Sequence, residues 1–149
     1  MEYKIRDFKE QDIDQLISLC KHHAEYERAE YSMHRKRDQL LSALFSQEKQ
    51  LHCIIAEAEG KLVGYASYTF DFSTWHAQVF IYLDGLYLEP DYRSYGICKV
   101  LLERVKCVGV ARNCVNMQWQ TPHFNEGAIR FYNRMGAKGN EKVRFILDL

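Results

Sequence analysis

Net charge is the first thing this chain lacks: Lys plus Arg and Asp plus Glu stand at 20 each over 149 residues. A balanced surface exerts no pull on nucleic acid or an anionic membrane, so neither is expected as a partner. No run of about 18 apolar residues occurs, and the start Met1-Glu2-Tyr3-Lys4-Ile5-Arg6-Asp7-Phe8 lacks the basic-then-apolar order of an export signal. A soluble, cytoplasmic protein is expected. The cysteines, Cys20, Cys53, Cys98, Cys107 and Cys114, are odd in number and form no CxxC pair, which argues against both a disulfide framework and a zinc site. Two nucleotide cradles are missing as well, GxxxxGK followed by Ser or Thr, and GxGxxG. Repeats, low-complexity tracts and linkers are also lacking, so residues 1–149 read as one domain. What is present is globular, with 47% hydrophobic and 13% aromatic residues, and the length suffices for a real core.

The chain is organised around Tyr87 to Lys99. An apolar run ends at Pro90, a short loop carries Arg93 and Gly96, and Val100, Leu101, Leu102, Val105 and Val108 then recur at helical spacing. Unpaired N–H groups at a helix start lie at the positive end of its dipole, and a glycine there lets a phosphate come close. The stretch therefore reads as a phosphate cradle, although an ordinary strand-to-helix turn has the same outline.

Around it, the spacing predicts a strand over Tyr3 to Phe8 and a helix opened by Asp12 with Ile13, Leu16, Ile17 and Cys20 on one face. The following His22 to Tyr31 crowds two histidines, carboxylates and tyrosines into either a solvated helix end or the wall of a site for a polar or cationic substrate. Adjacent histidines point in two directions on a helix and make a poor metal site. A second helix is expected over Arg35 to Phe45. A meander of strands over 51–58, 62–70 and 77–88 comes next, with Trp75 in a loop. Gly85, inside the last of these strands, marks a bulge or a close approach by another backbone or ligand. A bulge frees strand amides, and an extended ligand with amides of its own can pair with them. After the cradle helix, which runs to about Arg112, come a strand over 115–120, a helix over 125–135 with Asn125 as N-cap and Gly136 as its stop, and a last strand over 143–149.

These segments resemble the GNAT N-acetyltransferases. Arg93-Ser94-Tyr95-Gly96-Ile97-Cys98 is similar to that family's acetyl-CoA pyrophosphate loop, Q/R-x-x-G-x-G/A, and Phe131-Tyr132-Asn133-Arg134-Met135-Gly136-Ala137 to its FYxxxGA segment. His23-Ala24-Glu25-Tyr26-Glu27, His52 to Glu57, Tyr82-Leu83-Asp84-Gly85, Asp91-Tyr92-Arg93 and Asn125-Glu126 bring the chain nearest to the diamine (spermidine/spermine) branch. The resemblance implies the GNAT fold, an α/β (α+β) domain with a mixed, mostly antiparallel sheet, helices on both faces and a splayed cleft for acetyl-CoA. It also implies roles. Leu86, Tyr87 and Leu88 would bind the thioester and pantetheine, and Arg93, Ser94, Tyr95, Gly96, Ile97, Cys98 and Lys99 the pyrophosphate. Asn125, reaching the pantetheine arm from its helix start, and Glu126, Ala128 and Tyr132 would also bind the cofactor, and Tyr26, Glu27, Asp84, Gln118, Trp119 and Gln120 would line the acceptor cleft. Members are commonly homodimers joined near the C-terminus, which would suit the apolar Phe145-Ile146-Leu147.

The chemistry is consistent with that reading. An alkylamine with a pKa near 10 must lose a proton before it attacks a thioester. Asp84, acting through water, is the candidate base, and an Asp that merely edges the strand is the other reading. Tyr132 is the candidate acid for the departing sulfur, as an alternative to a core aromatic, and a strand N–H at Leu86 or Leu88 would hold the developing oxyanion. Three departures stand out. The diamine branch tends to carry a glutamate at Asp84 and an acid at Gly85, and the family's loop carries glycine or alanine at Cys98. Beside Lys99 in a first helical turn, the Cys98 thiol is expected to have a lowered pKa, with a mixed disulfide to CoA as a side possibility and plain packing as the other. The expected activity is acetyl transfer to a small amine, such as a polyamine, a lysine-like amino acid or an amino sugar. Transfer to a protein amine and a catalytically weak CoA-binding module are the alternatives.

Overall fold

The computed structural model describes residues 1–149. The strands are β1 (Tyr3–Asp7), β2 (His52–Ala58), β3 (Lys61–Ser73), β4 (Gln78–Leu88) and β5 (Met117–Gln118), and the helices are α1 (Ile13–Tyr26), α2 (Lys36–Phe45), α3 (Ile97–Ala111) and α4 (Glu126–Arg134). The sheet order is β1-β2-β3-β4-β5. Pairing is antiparallel up to β4, and β5 joins β4 in parallel.

The near-continuous apolar run of β2 is explained by burial on both faces. Cys53 and Ile55 join Leu62, Tyr65 and Tyr87 under Ile13, Leu16 and Ile17 of α1 and Leu44 of α2. Ile54, Ala56 and Ala58 face the other way, with Val63, Ile81, Leu83 and Leu88 under Ile97, Leu101 and Val105 of α3. Phe131 and Met135 bring α4 onto that second core. Helices therefore cover both faces, as the family resemblance implied.

Two features open the sheet at one point. In β4 the register against β3 jumps from Tyr68↔Leu83 to Ser67↔Gly85, so Asp84 is the extra residue of a bulge. Gly85 marks a close approach there, because an added Cβ would stand 3.0 Å from the ring and the hydroxyl of Tyr65 and 3.1 Å from Ser67 Oγ, tighter than ordinary contact. The second feature is the brevity of β5. Val115 N–H bonds Val79 O at 2.8 Å and Ile81 N–H bonds Asn116 O at 3.1 Å, but the paired register ends at Tyr82↔Gln118. The strand expected over 115–120 is thus cut to two residues, and β4 from Leu83 onward has no neighbour on that side.

Two further expectations are corrected. The strand expected over 143–149 does not form: those residues have no secondary structure, and Phe145 is 90% exposed. Its apolar alternation is strand-like, but a strand needs an edge to pair with, and the tail meets none within the chain. Asp12 and Asn125 precede their helices, yet neither caps with its side chain. Asp12 instead takes two hydrogen bonds from Arg6, at 2.8 and 2.9 Å, and one from the Lys9 N–H at 2.8 Å.

Asp12 ties β1 to the start of α1 and is only 4% exposed. The Arg6 guanidinium holds its carboxyl below the ordinary carboxylate range. A carboxyl whose folded pKa lies below its unfolded value of about 3.9 stabilises the fold above that value and loses the contribution as pH falls through the folded one. Asp12→Asn, which leaves Arg6 its 2.7 Å bond to Glu57, is expected to cost about 2 kcal/mol at pH 7 in urea unfolding. The gap to wild type should narrow below about pH 4, and a gap independent of pH would contradict the assignment.

Candidate functional site

Strand geometry determines which β4 amides face the gap. The Glu89 N–H donates to Val63 O at 2.8 Å, and in an antiparallel pair such bonds recur at every second residue. Tyr87 and Gly85 therefore point their amides into β3, and Leu86 and Leu88 point theirs to the open side. The Leu88 carbonyl is already taken, by Arg93 Nε at 2.9 Å. Arg93 thus secures the loop to the end of β4, with its guanidinium 4.8 Å from the Tyr26 ring centroid and 5.7 Å from that of Tyr87.

Beyond Arg93, a turn at Pro90–Tyr92 delivers the chain to α3. Ser94 and Gly96 both have left-handed backbone, with φ of 69° and 79°, and Gly96 occupies the N-cap position of α3. The first helical bond of this turn runs from the Val100 N–H to Gly96 O. The amides of Ile97, Cys98 and Lys99 consequently lack helical partners, and no acid sits in that first turn. Ser94, Tyr95, Gly96 and Lys99 are exposed, and an atom built at the Gly96 Cβ position would meet nothing within 4 Å. This geometry accommodates a diphosphate. The Cys98 expectation is overturned: its side chain turns into the α3-side core, and burial pushes the thiol up to about 11, outweighing the charge of Arg93. A protonated, enclosed thiol is a poor partner for a mixed disulfide.

The far wall of the gap comes from α4 and the residues before it. Asn125 is buried and accepts from the Tyr26 hydroxyl at 2.8 Å while donating to Thr121 Oγ1 at 3.2 Å, so it bridges α1 and α4 across the opening. Tyr132 packs edge-on to Trp119, with centroids 5.2 Å apart. Burial raises its phenol pKa well above the ordinary value, and Cys98, Glu27 and Tyr26 add to the effect. Tyr26, Glu27, Arg93, Cys98, Trp119, Asn125 and Tyr132 therefore share one neighbourhood. Other candidates stand apart. Gln118 is spent on Asn116 at 3.0 Å and Gln120 on the Tyr82 hydroxyl at 2.9 Å, both on the surface. Glu126 is exposed and Ala128 half-buried. Asp84 projects from the bulge into solvent, where its nearest polar partner is Ser67 Oγ at 3.5 Å.

Sequence reasoning missed Tyr65 and the partners of His23. The i, i+4 spacing of His23 and Glu27 was a visible signal. The cross-strand approach of Tyr65 to Gly85 was not. No group of three or more His, Cys, Asp or Glu side chains is placed to hold a metal ion.

Comparisons with known proteins bear on this geometry. The model of the Acetyltransferase (GNAT) family matches residues 13–137. A thialysine N-epsilon-acetyltransferase from Bos taurus is 30% identical over 142 residues, covering 90% of this chain and 83% of its own. Among solved structures, a possible acetyltransferase from Clostridium difficile 630 superposes with a TM-score of 0.82 at 21% identity, over 100% of this chain and 99% of that one. An aminoglycoside N-acetyltransferase in complex with CoA gives 0.79 at 20% identity, over 99% and 95%. The two structures show a shared fold.

Proposed function

The chain belongs to the GNAT acetyltransferase family, and we propose that it moves the acetyl group of acetyl-CoA onto a primary amine of a small molecule. The observation that carries this reading is the open edge of β4, whose Leu86 and Leu88 amides face a gap that begins at the unpaired amides of α3. An elongated ligand ending in a diphosphate can be held at both ends by such a site. Acetyl-CoA supplies an activated acyl group, and the rest falls to the residues of this chain. The amides of Ile97 to Lys99 and the Gly96 turn hold the phosphates. The Leu86 N–H stabilises charge on the carbonyl oxygen as it forms. Tyr132 donates to the leaving sulfur, and Tyr26 and Glu27 receive the amine, where one carboxylate among aromatic rings favours a cation.

The acceptor class rests on the thialysine enzyme, whose named substrate carries such an amine, and on the acidic, aromatic end of α1. Thiol release from acetyl-CoA with a panel of a polyamine, a lysine-like amino acid, an amino sugar and a lysine-containing peptide tests it. Turnover with a small amine is the expected result. Turnover with the peptide alone would move the acceptor class to proteins, and no turnover would refute the catalytic reading.

We also read the active form as a cytoplasmic homodimer. No helix is long and apolar enough to cross a membrane, and all the cysteines are free thiols. Phe145, Ile146 and Leu147 are 90%, 79% and 85% exposed in consecutive positions, a run that calls for cover. A second copy offers it, since each chain has a tail seeking an edge. Removing residues 143–149 is expected to halve the mass measured by light scattering, and a truncated protein of unchanged mass would exclude the tail as the contact.

A further inference from the structure

The Glu27 carboxylate that receives the amine is also the end of a longer polar line in the molecule. It runs through the cover of α1 to the bulge of β4. His23 is stacked on Tyr87, with centroids 5.2 Å apart, and its side chain is 16% exposed. Its Nε2 lies 3.1 Å from a carboxylate oxygen of Glu27, one turn further along α1, and its Nδ1 lies 2.6 Å from the Tyr65 hydroxyl. Placing the ring proton on Nε2, beside the Glu27 carboxylate, leaves Nδ1 of the neutral ring to accept from the Tyr65 O–H. The phenol oxygen in turn lies against Gly85, where an added Cβ would be 3.0 Å away. Gly85 is next to Leu86, whose N–H faces the acetyl position.

We propose that Tyr65, His23 and Glu27 form the route by which the acceptor ammonium loses its proton, with Tyr65 as the group that meets the amine. This rests on the acetyl-transfer reading above. An amine attacking from the α1 side passes over Gly85, where the missing side chain leaves room above the Tyr65 hydroxyl of the neighbouring β3. The exchange balances. The ammonium gives one proton to the phenol oxygen as the phenol's own proton passes to His23 Nδ1. A neutral amine, an intact phenol and an imidazolium paired with the Glu27 carboxylate result. The imidazolium then releases its proton to water past Glu27, which is 30% exposed.

The arrangement explains why phenol and histidine are both needed. Tyr65 is buried and its hydroxyl is held far above its ordinary pKa by that burial, so it cannot wait as a phenolate and serves only if a base stands behind it. His23 acts through Tyr65 and is a positioning residue as well as the proton's destination. The groups that set its charge are Glu27 on its own helix, Tyr65 on β3, Tyr87 on β4 and Arg93 in the loop beyond. Glu89 and Asp84 stand next in line, the first accepting from the Tyr87 hydroxyl at 3.2 Å and the second at the bulge.

The test is the pH profile of kcat/KM for the best amine of the panel, in wild type, His23→Gln and Tyr65→Phe. Glutamine still accepts from the Tyr65 hydroxyl but takes no proton. In wild type, kcat/KM is expected to rise with pH through a limb that reports an enzyme base taking up the amine's proton. In both variants that limb should vanish, with the rate at pH 7 down about tenfold and recovering at higher pH as free amine accumulates. The KM for acetyl-CoA should hold, which a general loss of structure would not allow. A limb retained in both variants, with the wild type active, overturns this route alone. A wild type that acetylates no amine overturns the function it rests on, and the route with it.

Discussion

Tyr132→Phe is expected to lower kcat with the preferred amine about a hundredfold while the KM for acetyl-CoA stays near its wild-type value. Burial and the nearby Cys98, Glu27 and Tyr26 hold the phenol far above its ordinary pKa. It therefore stays un-ionised at neutral pH, which keeps it a donor. The same shift makes it a weaker acid than a free phenol, and a thiolate with a pKa near 8.5 does not pull its proton fully across. In the proposed reaction the hydroxyl would serve as a hydrogen-bond donor to the sulfur as charge develops there, and removing one such donor costs on the order of a hundredfold. The ring keeps its packing on Trp119 and Phe131, at 5.2 and 5.4 Å, so the fold should be untouched. Thiol release at saturating acetyl-CoA reads the effect. Turnover equal to wild type would remove Tyr132 from the chemistry and leave it a core aromatic.

Gly96→Val is expected to weaken CoA binding about a hundredfold, or about 2.7 kcal/mol, by titration calorimetry. Two effects combine. At φ 79° a β-branched residue costs about 1–2 kcal/mol against a glycine that adopts the conformation freely, so the free loop relaxes to another backbone and CoA must restore this one. The branched side chain also stands beside the amides of Ile97 to Lys99, where a phosphate would approach. No neighbour lies within 4 Å of the added Cβ, so the variant should fold and the loss should fall on binding. Gly96→Ala should fall in between. Wild-type affinity in the valine variant would show that the diphosphate is held elsewhere.

The contrast between Cys98 and Gly85 shows how far side-chain chemistry can be read from local sequence. Cys98 beside Lys99 at a helix start looked reactive, because sequence neighbours were the only visible environment. Rotation of the helix decided otherwise, placing the thiol in the core. Gly85 fared better, since an interior strand glycine has few explanations, and a bulge with a close approach was among them. Which group makes the approach was invisible, because Tyr65 comes from another strand, twenty residues earlier.

The order of strands and helices as far as α4, the meander, the left-handed glycine before α3 and the helical faces were legible in the sequence. Each follows from periodicity or from a backbone angle that few residues adopt, and those are local properties of the chain. The site needed the third dimension. The length of β5 depends on where two strands diverge, and the tail at 143–149 reads as a strand yet has no edge to join. The line from Glu27 through His23 to Tyr65 exists only because α1 crosses β3 and β4 at the bulge. Such contacts depend on packing between distant segments, which no local pattern encodes.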